Sequence, residues 1–96
     1  MGIQSITILG RRWGNHFSAS ILVNGAQVHH IPLQCGTGDY FAQAGFEWLD
    51  EWLDKQGITG RKRHASGIME PAWRYCQDRG IIYHVEGVDV ARKKDL

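Results

Sequence analysis

From Ile3 to Ile31 apolar and polar residues tend to alternate with a period of two. From Phe41 to Leu53 the apolar positions instead recur every three or four residues. The change of period divides the chain into a strand-forming part and a helix-forming part. In the first run Ile3, Ser5, Thr7 and Leu9 oppose Gln4, Ile6 and Ile8; it is expected to stop at Gly10, with Arg11, Arg12, Trp13, Gly14 and Asn15 making a turn. Phe17, Ala19, Ile21 and Val23 then share one face of a second strand, against Ser18, Ser20 and Leu22. Asn24-Gly25 follows at once. Both residues tolerate positive φ, so the pair predicts a type I′ hairpin. The return strand is expected from Ala26 to Ile31, ended by Pro32, whose nitrogen cannot donate to a ladder.

The helical pattern has two adjoining apolar stripes. Phe41, Gly45, Trp48 and Trp52 form one and Ala42, Phe46, Leu49 and Leu53 the other, while Gln43, Glu47, Asp50, Glu51 and Asp54 occupy the polar remainder. Gly57 closes this helix, expected over residues 39 to 56. A short second helix is expected after Ser66 as cap, with Pro71 in its first turn, a stripe of Ile68, Ala72, Tyr75 and Cys76, and Gly80 as its end. Ile81 to Val85 reads as a last strand, extended through Val88 and Val90 after a break at Gly87. Residues 91–96 read as a frayed basic tail. The resulting order is β-β-β-α-α-β. The expected fold is α+β: an antiparallel four-stranded sheet with both helices packed on one face.

Ninety-six residues, 43% of them hydrophobic, fit one domain spanning 1–96 with a single modest core. The net charge of +1 argues against a strongly polyanionic or polycationic protein. The start MGIQSITILG has no basic n-region, and no stretch approaches the roughly 20 apolar residues of a membrane span. A cytoplasmic protein without a membrane partner is the expectation. Cys35 and Cys76 read as reduced small hydrophobes in that compartment.

The stretch Gly36-Thr37-Gly38-Asp39-Tyr40-Phe41 has the look of a phosphate loop but not its chemistry. Asp39 follows the second glycine, where a Walker sequence carries Lys, and its charge would repel a phosphate. Asp39 reads as a helix cap, accepting from an orphan N–H at the positive end of the dipole. Together with Trp13 and Gly14-Asn15-His16-Phe17, this Gly-x-Gly-Asp-x-aromatic element, followed by Gln43, Phe46 and Leu49, resembles small uncharacterised proteins encoded by tailed phages and prophages. The resemblance covers residues 6 to 53. It implies a phage protein working in the cytoplasm of a bacterial host, and it specifies a fold more than an activity.

No motif assembles a catalytic or metal site. His29 and His30 are adjacent and, in a strand, point to opposite faces, so only one can join Cys35. A structural zinc site needs four ligands, and the others would have to come from His16, His64, Cys76 or His84 without a paired spacing. Cys76 falls on an apolar stripe, and nothing near Cys35 suggests an oxyanion hole. The expectation is a protein that is not an enzyme and takes no cofactor.

The charges are segregated. Asp39, Glu47, Asp50, Glu51 and Asp54 belong to the long helix, whereas Arg61, Lys62, Arg63, Arg74, Arg79 and Arg92-Lys93-Lys94 lie beyond it. Each cluster is either a solvated face or a contact surface. As a contact surface, Glu47, Asp50, Glu51 and Asp54 would mimic a nucleic-acid backbone and steer the protein into a basic groove. The Asn24-Gly25 hairpin and the Arg61-Lys62-Arg63 loop would supply further contacts. A small phage protein of this kind looks like the anti-CRISPR class, whose members stop a CRISPR effector from engaging target DNA. The expected function is therefore inhibition of a host defence complex. The alternatives are a phage nucleic-acid-binding accessory protein, with Trp13 or Trp73 stacking on a base, and a phage assembly or structural protein.

Overall fold

A computed structural model describes residues 2–38 and 40–96; the cap assigned to Asp39 lies outside the described residues. The elements run β1 (Ser5–Trp13), β2 (His16–Val23), β3 (Ala26–Cys35), α1 (Tyr40–Lys55), α2 (Ala72–Asp78) and β4 (Ile82–Asp89). The order differs from the expected one at its end, where a 3-10 turn (Lys93–Asp95) stands in place of a frayed tail. The class is α+β, with one four-stranded sheet ordered β3-β2-β1-β4.

The sheet is mixed, which corrects the antiparallel expectation. β1 pairs antiparallel with β2, and β2 with β3, but β4 joins the far side of β1 in parallel. The chain climbs β3, returns through the helical layer and re-enters the sheet in the direction of β3, which is also the direction of β1. The alternation of side chains along an edge strand is the same for either orientation, so the pattern alone carries no sign of this.

Two strands are longer than their sequences suggested. β1 continues through Gly10 to Trp13 because the Phe41 ring lies against Gly10; a glycine is needed there for packing, not for a turn. β3 continues through Pro32 to Cys35, since it is an edge strand where a missing N–H costs little. Two register shifts accommodate the extra length: Pro32 and Leu33 together oppose Ser18, and Val28 is inserted between the Ile21–His29 and Leu22–Gln27 pairs. β4 likewise runs unbroken through Gly87.

The expected type I′ turn is present, with φ of 53° at Asn24 and 82° at Gly25. α1 ends as its sequence implied. Ile58 N–H donates to Leu53 C=O at 2.9 Å and Gly57 N–H to Asp54 C=O at 3.1 Å, a Schellman closure with Gly57 at φ 77°. The second helix differs. It starts at Ala72 with Pro71 at its cap, because residues 62–70 form a small hairpin instead: Glu70 N–H donates to Lys62 C=O and His64 N–H to Ile68 C=O, both at 2.9 Å. Ser66 therefore caps nothing, and Ile68 is exposed.

Both helices cover the same sheet face. Ile6 and Ile8 of β1 and Ala19, Ile21 and Val23 of β2 meet Phe41, Phe46, Leu49 and Leu53 of α1, with Gly45 allowing close approach over Ile8 and Ile21. Phe46 links the layers, edge-on to Tyr75 of α2 and to Tyr83 of β4. The opposite face carries Leu9, Ser20, His84, Glu86 and Val88 and has no layer over it among the described residues.

Candidate functional site

The acidic stripe of α1 divides into two pairs with different work to do. Asp50 is turned toward the loop that follows the helix. It accepts from Arg61 Nη2 at 2.9 Å, from Arg61 Nε at 3.0 Å and from the Arg61 backbone N–H at 3.1 Å. The two side chains are only 16% and 10% exposed, and the Arg61 guanidinium lies over the Phe46 ring, 4.6 Å from its centroid. Asp54 accepts from Gly60 N–H at 3.2 Å. These two acids tie residues 60 and 61 to the helix; the Asp50 and Arg61 side chains are largely enclosed, whereas Asp54 stays exposed.

Glu47 and Glu51 are exposed. They lie one turn apart on the rim of an open cleft of about 310 Å³ between α1 and β3. Its floor is an aromatic stack: the His29 ring and the Trp48 indole are parallel to within 2°, with centroids 4.2 Å apart, and Trp52 stacks next along the helix at 6.5 Å. Ile31, Pro32, Gln34, Tyr40 and Ala44 complete the walls. Glu47 also borders a second depression, of about 470 Å³, on the side of α1 that faces Arg63, Met69 and Tyr83.

The sequence pattern puts Trp48 on an apolar stripe of α1 and sets His29 beside His30 and Cys35, with no sign that His29 meets Trp48. The structure brings them together because His29 pairs with Ile21, whose side chain is on the helix-facing side of the sheet, and so meets Trp48 of α1. The usable signal was the parity of His29 with Ile31, which puts both on the helix-facing side.

The other expected contact residues are scattered. Asn24 is employed within the fold: its Oδ1 accepts from Gln4 N–H at 2.7 Å and Ser5 N–H at 3.1 Å, and its Nδ2 donates to Gly2 C=O at 3.2 Å. Gly25 is exposed at the hairpin tip beside it. Lys62 and Arg63 are exposed on the 62–70 hairpin, where Arg63 Nη1 donates to Gly67 C=O at 2.7 Å. Several remaining cations have intramolecular partners. Arg12 pairs with Asp89 at 3.1 Å, Arg74 with Asp78 at 3.9 Å and Arg92 with Asp95 at 3.6 Å, while Arg79 lies 3.9 Å from the centroid of the Tyr75 ring.

Cys35 is exposed and Cys76 buried. Burial pushes the Cys76 thiol up to about 11, against the nearby positive charge of Arg79, so it stays protonated and unreactive at neutral pH. Burial also raises Tyr83, to about 12. Adjacent His29 and His30 do face opposite sides, His29 toward Trp48 and His30 toward Ser20, where Nδ1 and Oγ are 3.3 Å apart. Among the described residues no three His, Cys, Asp or Glu side chains converge on a metal site, and no helix is long and apolar enough to cross a membrane. The chain matches no protein-family model, no curated protein and no solved structure.

Proposed function

We propose that the protein is a non-enzymatic binding protein that grips a basic surface of a partner with the α1–β3 cleft. The observation that carries this reading is the pairing of two exposed carboxylates, Glu47 and Glu51, with the Trp48–His29 stack beneath them. A lysine or arginine entering the cleft gains a charge-assisted hydrogen bond from the rim, and its aliphatic stem packs on the aromatic floor. The acids committed to the loop, Asp50 and Asp54, are not needed for this.

The elements Trp13–Phe17 and Gly36–Phe41, which resemble tailed-phage proteins, supply the biological setting. In the cytoplasm of a bacterial host, the partner that fits is a defence complex with a lysine- or arginine-lined nucleic-acid groove, and an anti-CRISPR role against a CRISPR effector is the form of this reading we favour. Binding there displaces target DNA by occupying its electrostatic footprint. Because so many of the basic side chains are paired internally, a nucleic-acid-binding accessory role has less to support it.

The test compares wild type with the Glu47→Lys/Glu51→Lys variant, matched for melting temperature, in capture experiments from nuclease-treated host lysate. A stoichiometric protein complex held by wild type and lost by the variant supports the cleft as the docking site. Equal capture by both overturns it. Retained material that disappears with nuclease favours the nucleic-acid alternative.

A further inference from the structure

The two edges of the sheet are treated differently. β3 is interrupted by Pro32 and by two register shifts, the usual ways of making an edge unfit for pairing. β4 has neither. It pairs with β1 over eight residues without a shift, contains no proline, and exposes Ile82, Val85 and Val88.

The backbone groups on its free side can be identified. Ile82 N–H donates to Gln4 C=O at 2.9 Å and Val90 N–H to Arg12 C=O at 2.8 Å, which fixes the phase of the parallel ladder. The even-numbered residues of β4 bond to β1. Tyr83, Val85, Gly87 and Asp89 therefore direct their N–H and C=O groups outward; of these, the Gly87 carbonyl also accepts a long 3.5 Å contact from Arg12 Nη2, which leaves its second lone pair for a partner strand.

We propose that β4 pairs antiparallel with β4 of a second copy of this chain, about a two-fold axis through Val85. In this register Val85 faces Val85 of the second copy, and Tyr83 faces Gly87, each pair exchanging backbone hydrogen bonds. On the open sheet face Ile82 meets Val88 and His84 meets Glu86, in positions without backbone bonds, where side chains approach most closely. These four pairings are apolar with apolar, large with small, or base with acid. Already within one chain His84 Nε2 lies 3.7 Å from Glu86 Oε2, so the dimer would set two such pairs side by side.

Neighbouring registers lose this match. Moving the axis to Glu86 sets the two glutamates against each other and Val88 against His84. Moving it to His84 sets the histidines together and Ile82 against Glu86. Complementarity around one axis is the mark of an isologous contact. The product is a continuous eight-stranded sheet, β3-β2-β1-β4-β4-β1-β2-β3, whose α1–β3 clefts stand at its two ends.

Sedimentation equilibrium across a concentration series tests the pairing. Wild type is expected to show a reversible dimer. Val85→Pro removes an outward N–H that the monomer does not use, and is expected to give a monomer with unchanged circular dichroism. Glu86→Lys replaces the acid facing each His84 by a cation, twice across the axis, and is expected to raise the dimer Kd about tenfold, with the swap His84→Glu/Glu86→Lys restoring it. A wild-type monomer at the highest soluble concentration overturns the proposal. So does a dimer indifferent to both Val85→Pro and Glu86→Lys.

Discussion

Gly10 and Gly87 lie side by side on parallel strands β1 and β4, and their missing side chains make the seat of the Phe41 ring. A Cβ on Gly10 would intrude into that ring, and one on Gly87 would come within 2.9 Å of it. Arg12 passes over the same ring, 6.0 Å from its centroid, before pairing with Asp89. One aromatic residue at the start of α1 thus ties the helix to the strand pair whose union closes the sheet.

Gly10→Ala should lower stability by about 2–3 kcal/mol through overpacking. Combining it with Phe41→Leu should cost less than the sum of the two single changes, since the smaller side chain vacates the space. Urea denaturation of the four proteins of the cycle measures the coupling; strict additivity would mean that the ring and the glycine do not share a site.

The acidic residues of α1 should separate by stability. Asp50→Asn leaves the Arg61 charge nearly buried beside Phe46 and should cost about 3 kcal/mol. Glu47→Gln and Glu51→Gln should each stay within about 0.5 kcal/mol of wild type. The same denaturation midpoints decide between this division of labour and a uniformly solvated stripe.

Asn24 should matter to folding more than to binding. Asn24→Asp keeps the acceptor for Gln4 and Ser5 N–H, whereas Asn24→Gly keeps the positive φ and loses the acceptor. The glycine variant should be the less stable by about 1 kcal/mol, equivalent to about 4–8 °C in Tm for a domain of this size. Thermal melting of the two variants compares them directly.

Alkaline pH should destabilise the fold in a defined window. The Cys76 thiol rises from 9.0 to about 11 and the Tyr83 phenol from 10.0 to about 12, both chiefly through burial. The folded state therefore holds these protons more tightly than the unfolded chain. The contribution is complete below pH 9 and is lost as pH climbs through 11 and 12. Tyr83→Phe should match wild type near pH 7 and lose less stability between pH 10 and 12, as read from Tm against pH.

The sequence made some of this plain and hid the rest for physical reasons. The Asn24-Gly25 turn and the Gly57 helix end follow from backbone preferences that neighbours do not override. Gly10 and Pro32 misled because each has two meanings: a breaker in isolation, a packing device under Phe41 or an edge residue in context. The second helix is shorter than its sequence suggests: Ile68 and Ala72 share a helical spacing, but residues 62–70 bond to themselves as a hairpin. At the cleft, Glu47 and Glu51 are legible as exposed charge. Asp50 and Asp54 carry the same charge, and only the return of the chain at Gly60 and Arg61 distinguishes them.

The parallel seating of β4 beside β1 has a temporal side. β1 is synthesised before, and β4 after, every other element of the sheet, so one flank of β1 waits for its neighbour while the helices are still being made. Local hairpin closure gives β1 its partner β2 early, but the second flank requires a contact across more of the chain than any other pairing, and such contacts form slowly. During that interval the unpaired flank of β1 is open to pairing with another unfinished copy.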